Sequence, residues 1–95
     1  MNIYLVERLD VGEEEDCFDF VCSARSEEAA RLLHPHGLQY LWATVIDEDG
    51  DKVSQWITVD GYTDGGVWTT PDNVRVTLLG ISNKNIEQVI TFSYI

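Results

Sequence analysis

The sequence predicts an α+β fold: an antiparallel sheet of five to six strands with one short helix packed on one face. The expected order is strand-strand-helix-strand-strand-strand-strand. Three observations carry this reading. Apolar residues alternate with period 2 in six short runs, as half-buried strands require. Only the segment opening at Ser26 combines a cap, an acidic first turn and an apolar stripe. The connection between the first two runs is too short for a crossover helix, so those runs pair antiparallel. At 95 residues the chain has room for a single domain, residues 1–95.

Residues 2–8 form the first strand, with Ile3 and Leu5 on one face and Tyr4 and Val6 on the other. Asp10-Val11-Gly12 is a turn signal, followed by the acidic run Glu13, Glu14, Glu15 and Asp16. Cys17–Ser23 alternates again, placing Phe18, Phe20 and Cys22 on one face and completing a hairpin. Ser26 then offers a hydroxyl to the free N–H groups of a helix start. Glu27 and Glu28 sit where the helix dipole favours negative charge, and Glu27 precedes Arg31 by four. Ala29, Ala30, Leu32 and Leu33 supply the apolar stripe, and Pro35 and Gly37 end the helix. Two to three turns are marginal in isolation, so the helix needs a sheet to pack on.

Residues 40–47 and 52–59 read as a second hairpin. Trp42, Thr44 and Ile46 alternate with Leu41, Ala43 and Val45, and Trp56 falls on the face of Trp42. The turn holds Asp49-Gly50, where glycine tolerates the positive φ of a type I′ turn. Residues 60–73 carry glycine and proline breakers and read as a loop anchored by Trp68. Val74–Gly80 is a fifth strand. A polar connection at 82–87 leads to a sixth, marked by Ile90, Phe92 and Tyr94.

The chain carries 17 acidic and 6 basic residues, a formal net charge of −11. That balance argues against direct binding of nucleic acid, which needs a basic face. Apolar runs are strand-sized, so no membrane span is expected. The first residues lack the basic region and apolar run of a signal peptide, which points to the cytoplasm. Cys17 and Cys22, five apart on one strand, face opposite ways and read as reduced thiols, with Cys22 in the core.

Three pieces of the chain together resemble a group of small proteins encoded by phages and prophages. They are Ile3-Tyr4-Leu5-Val6-Glu7-Arg8, the helix start Ser26-Glu27-Glu28-Ala29-Ala30-Arg31 with His34-Pro35, and Trp68 followed by Pro71-Asp72 and the strand Val74–Gly80. The similarity covers most of the chain; the hairpin at 40–59 is an extra relative to shorter members. The resemblance implies a context, a small protein made in the bacterial cytoplasm during infection. Many such proteins bind and block a host machine, anti-CRISPR proteins among them. It carries over no active-site residue.

No cofactor, metal or catalytic residue is expected. Asp47, Asp49 and Asp51 match the first three ligand positions of an EF-hand loop, but Lys52 and Thr58 stand where glycine and a bidentate glutamate belong. His34 and His36 flank a proline at the helix end, where favourable interaction with the dipole is a sufficient role. The serines and cysteines lack a G-x-S-x-G elbow, and the glycines match no phosphate loop. The expected function is therefore a non-catalytic acidic binding protein, a phage-encoded inhibitor blocking a basic nucleic-acid-binding surface of a host protein. Glu13, Glu14, Glu15 and Asp16 with Asp47, Glu48, Asp49 and Asp51 would steer the encounter. Trp42 and Trp56 would supply an apolar anchor. The alternative is a structural or accessory phage protein that self-associates, as a homodimer, through the aromatic hairpin face or a sheet edge.

Overall fold

The computed structural model of the chain describes residues 1–10, 17–83 and 85–94. Its elements are β1 (Asn2–Arg8), β2 (Cys17–Ala24), α1 (Glu27–Arg31), β3 (Leu41–Ile46), β4 (Lys52–Ile57), β5 (Val74–Ile81) and β6 (Gln88–Tyr94), with a 3-10 turn at Pro71–Asn73 before β5. The α+β class and the strand-strand-helix-strand order hold. The strands divide, however, between two sheets: a four-stranded one in the order β5-β1-β2-β6 and the separate β3-β4 hairpin. All pairings are antiparallel. The hairpin meets the large sheet through side chains, its two tryptophans, rather than through an edge ladder.

Alternation along β1 sends Tyr4, Val6 and Arg8 to the inner face. There they oppose Cys22 and Phe20 of β2 and Leu78, Val76 and Val74 of β5. Tyr4, Val6, Phe20, Cys22, Val74 and Val76 are buried, joined by Ala30 and Leu33 from the helix segment and by Trp56 and Trp68 from beyond it. Removing a side chain the size of Phe20 wholly from water stabilises the fold by roughly 2–3 kcal/mol. Phe18 departs from the expected pattern. A register shift between Cys17 and Asp19 turns it out of line with Phe20, and it stays exposed. The opposite sheet face, carrying Ile3, Leu5 and Val21, is only half-buried.

Helix α1 is shorter than its apolar stripe suggests. Ser26 Oγ accepts the Ala29 N–H at 3.1 Å, as a cap should. The amides of Leu32 and Leu33 already bond three residues back, tightening the end of the helix. His34 and Pro35 then turn into the core, where both are fully buried. Arg31 donates to the carbonyls of Val74 and Pro71 at 3.0 and 3.4 Å, fixing the helix against the start of β5. No helix among the described residues is long and apolar enough to cross a membrane.

Candidate functional site

The β3-β4 hairpin is an arm with a shaped tip and an aromatic base. Its register runs from Leu41↔Ile57 to Ile46↔Lys52. At about 3.3 Å rise per residue, six such pairs make an arm roughly 20 Å long. The longest dimension of the molecule is 46 Å against 28 and 20 Å for the others. The tip is organised by Asp47. Its Oδ1 accepts the N–H groups of Asp49 and Asp51 at 3.0 and 2.8 Å, and its backbone carbonyl accepts that of Gly50 at 3.1 Å. Asp47 N–H donates to the Asp51 carbonyl, so the loop is the three residues 48–50 rather than the two-residue type I′ turn expected. Gly50 takes φ +83°, the left-handed position that closes such a loop. The oxygen that an EF-hand would aim at calcium is spent on the turn's own amides.

Asp47, Glu48, Asp49 and Asp51 are exposed, and none forms an ion pair among the described residues. Spread over the whole surface the charge is sparse: 6129 Å² divided by 11 net charges is one per 557 Å². Duplex DNA, with a charge per ~1.7 Å of axis, is several times denser. Among the described residues the tip, with four carboxylates in five residues, concentrates charge locally.

At the base, Trp42 and Trp56 are direct cross-strand partners. Their rings lie 5.3 Å apart at 62°, an edge-to-face arrangement. Trp42 is half-buried. Trp56 is 3% exposed, donates Nε1–H to the Thr69 carbonyl at 2.7 Å, and meets the His34 ring at 5.3 Å. This corrects the expectation that Trp56 faces a partner: both hairpin faces alternate apolar residues, and the chain's own core takes the tryptophan side. Leu41, on the other side, is exposed.

Around this base lies a network that sequence reasoning missed. His34 Nδ1 accepts the His36 backbone N–H at 3.0 Å, so the ring proton sits on Nε2 and faces Asp64 Oδ2 at 2.9 Å. Tyr40 stacks on the same imidazole at 4.4 Å. Asp64 also accepts the N–H groups of Gly66 and Trp68. Burial pushes its carboxyl up, but the bonds from His34, Gly66 and Trp68 outweigh that and hold it below the usual carboxylate range. Arg8, inside the sheet end, grips Asp10 with Nε at 2.7 Å and Nη2 at 3.1 Å. The guanidinium and, against some burial, the Thr69 hydroxyl hold the Asp10 carboxyl low as well. Arg8, Asp10, Asp64 and Thr69 of this network, with all three tryptophans of the chain, line an open cleft of about 350 Å³. The Asp64-Gly65-Gly66 turn was visible as a breaker, but nothing local pairs it with a histidine thirty residues earlier.

Glu13, Glu14, Glu15 and Asp16 lie outside the described residues. Among the described residues no group of three or more His, Cys, Asp or Glu side chains converges to hold a metal. Cys22 is fully buried; burial first, then the charge of Glu87, pushes its thiol up to about 12. Comparison of the chain with known protein families, characterised proteins and solved structures finds no match.

Proposed function

We propose that this chain is a non-catalytic binding protein that presents its acidic arm to a basic, nucleic-acid-binding surface of a partner protein. In this reading it is an inhibitor of the phage-encoded, anti-CRISPR-like kind, and occupancy by the arm excludes nucleic acid from that surface. The observation that carries the reading is the tip. Its carboxylates are exposed and lack ion pairs among the described residues, on a hairpin that forms a sheet of its own. Asp47 pre-shapes the turn, so little conformational entropy is lost when a partner engages it. Concentrated like charge on a projecting element raises the association rate with an opposite surface and makes it salt-dependent.

The test is capture from bacterial lysate by tagged protein, comparing the wild type with an E48Q/D49N/D51N variant that leaves Asp47 in place. The wild type should retain a basic nucleic-acid-binding protein that elutes as salt rises, and nucleic acid should compete for it. The variant should lose it while keeping its fold. Equal retention by both removes the mechanism.

A second reading has an observation of its own. Ile3, Leu5 and Val21 face outward from the large sheet, and Leu79 and Ile81 on its β5 edge are 55% and 79% exposed. Apolar exposure along a sheet edge favours self-association. A salt-insensitive dimer by light scattering, with no captured partner, would establish that reading instead.

A further inference from the structure

We propose that the cleft at the base of the arm binds a methylated ammonium group, a quaternary nitrogen such as those of choline and trimethyllysine. At about 350 Å³ it is of small-ligand size. Trp42, which is only partly buried, meets Trp56 at 62°, and both indoles line the cleft. Aromatic faces attract cations through the ring quadrupole, and the attraction strengthens as the cation is desolvated. The cleft already holds one such contact, with the Arg8 guanidinium carbon 5.8 Å from the Trp68 ring centre.

Charge sets the sign of the ligand. Arg8 and Asp10 cancel in a two-pronged pair. Asp64 faces a histidine whose Nδ1 is occupied by a backbone N–H, so the imidazole brings it a hydrogen bond and no charge. Among these groups one negative charge is left over.

Hydrogen bonding sets the class. Asp10 already accepts from Arg8 twice and from Thr69, and Asp64 from Gly66, Trp68 and His34. About three of the four acceptor sites on each carboxylate are therefore taken, and the pair supplies field more than free acceptors. A guanidinium or primary ammonium brings several N–H donors that lose water, and meets here only the remaining carboxylate sites and the neutral side-chain oxygens of Ser54, Gln55 and Thr70. A methylated ammonium brings none, and its methyl groups lie against indole at no such cost.

This site is independent of the arm reading. Trp42 and Asp47 are five residues apart on an extended strand, about 17 Å. That is twice the Debye length of about 8 Å at physiological salt.

The experiment is titration of the full chain at physiological salt, following tryptophan fluorescence, which reports this cleft because every tryptophan lines it. The probes are choline, N-acetyl-trimethyllysine amide and 3,3-dimethylbutanol, the uncharged carbon isostere of choline. Both cations should give a saturable change at millimolar concentration, with the isostere at least about tenfold weaker. Tighter binding of the lysine derivative would assign the group to a partner's side chain, and equal or tighter binding of choline to a free small molecule. Trp42→Leu should weaken binding at least about tenfold. Ser54→Lys, an exposed rim change that adds a tethered cation, should weaken it without touching the core. E48Q/D49N/D51N should leave it unchanged, so loss of partner capture and loss of cation binding are separable. No saturable response to either cation, or an equal response to the isostere, overturns the proposal.

Discussion

Truncating Trp56 to alanine tests whether the arm is rooted in the core. The side chain is 3% exposed, wedged between Trp42 and His34 at 5.3 Å from each, and its Nε1–H bonds the Thr69 carbonyl. Emptying an aromatic site of this kind costs about 3–5 kcal/mol, cavity included. The orphaned Thr69 carbonyl belongs to a buried residue, which places the value toward the upper part of that range. Domains of this size hold about 5–15 kcal/mol in total, so the loss is a large share. With a urea m-value of about 2 kcal/mol per M, a 4 kcal/mol loss lowers the midpoint by about 2 M. The assay is urea unfolding of wild type, Trp56→Ala and Trp56→Phe, followed by circular dichroism. Phenylalanine keeps most of the apolar contact and gives up the hydrogen bond, so its loss should be about half as large. A Trp56→Ala change below about 0.5 kcal/mol, the range of surface substitutions, would refute the inward placement of this residue.

Other outcomes follow from the same contacts. Asp64→Asn leaves an amide group facing donors at His34 and Trp68 and should cost about 1–3 kcal/mol at neutral pH by urea unfolding. Because the Asp64 carboxyl is held low in the fold, its contribution is present above the ordinary value of 3.8 and lost as pH falls through the lower folded value. The gap between wild type and Asp64→Asn should therefore close in midpoints measured below about pH 4. Gly50→Ala places a side chain at φ +83° and should cost about 1–2 kcal/mol while leaving the far sheet intact by amide exchange. Cys22, in a Cys17→Ser background, should resist a thiol reagent in the native protein at pH 8 and react on unfolding.

Period-2 runs placed every strand, and the Ser26 hydroxyl marked the helix start to the residue, because both signals are local. What the sequence did not show is tertiary. The hairpin at 41–57 has apolar residues on both faces, so alternation alone left open which face turns inward; the core chose the tryptophans. The division into two sheets depends on whether an edge is paired or packed upon, which no run of residues encodes. Phe18 shares parity with Phe20, yet a one-residue register shift exposes it. His34 read as a helix-end cation and is instead a buried link to Asp64, joined across thirty residues by the path of the loop. At the acidic tip the charge was legible and the geometry was not, since Asp47 turns its side chain to the backbone of its own turn.

The most direct test of the arm as the binding element is a salt series on the captured partner, measuring its association rate with the wild type and with E48Q/D49N/D51N. The account expects a rate that falls steeply with salt for the wild type and is slower and nearly flat for the variant, with the two converging at high salt. Identical rates and identical salt slopes would contradict it, and would leave the acidic tip as a solvated surface with no part in binding.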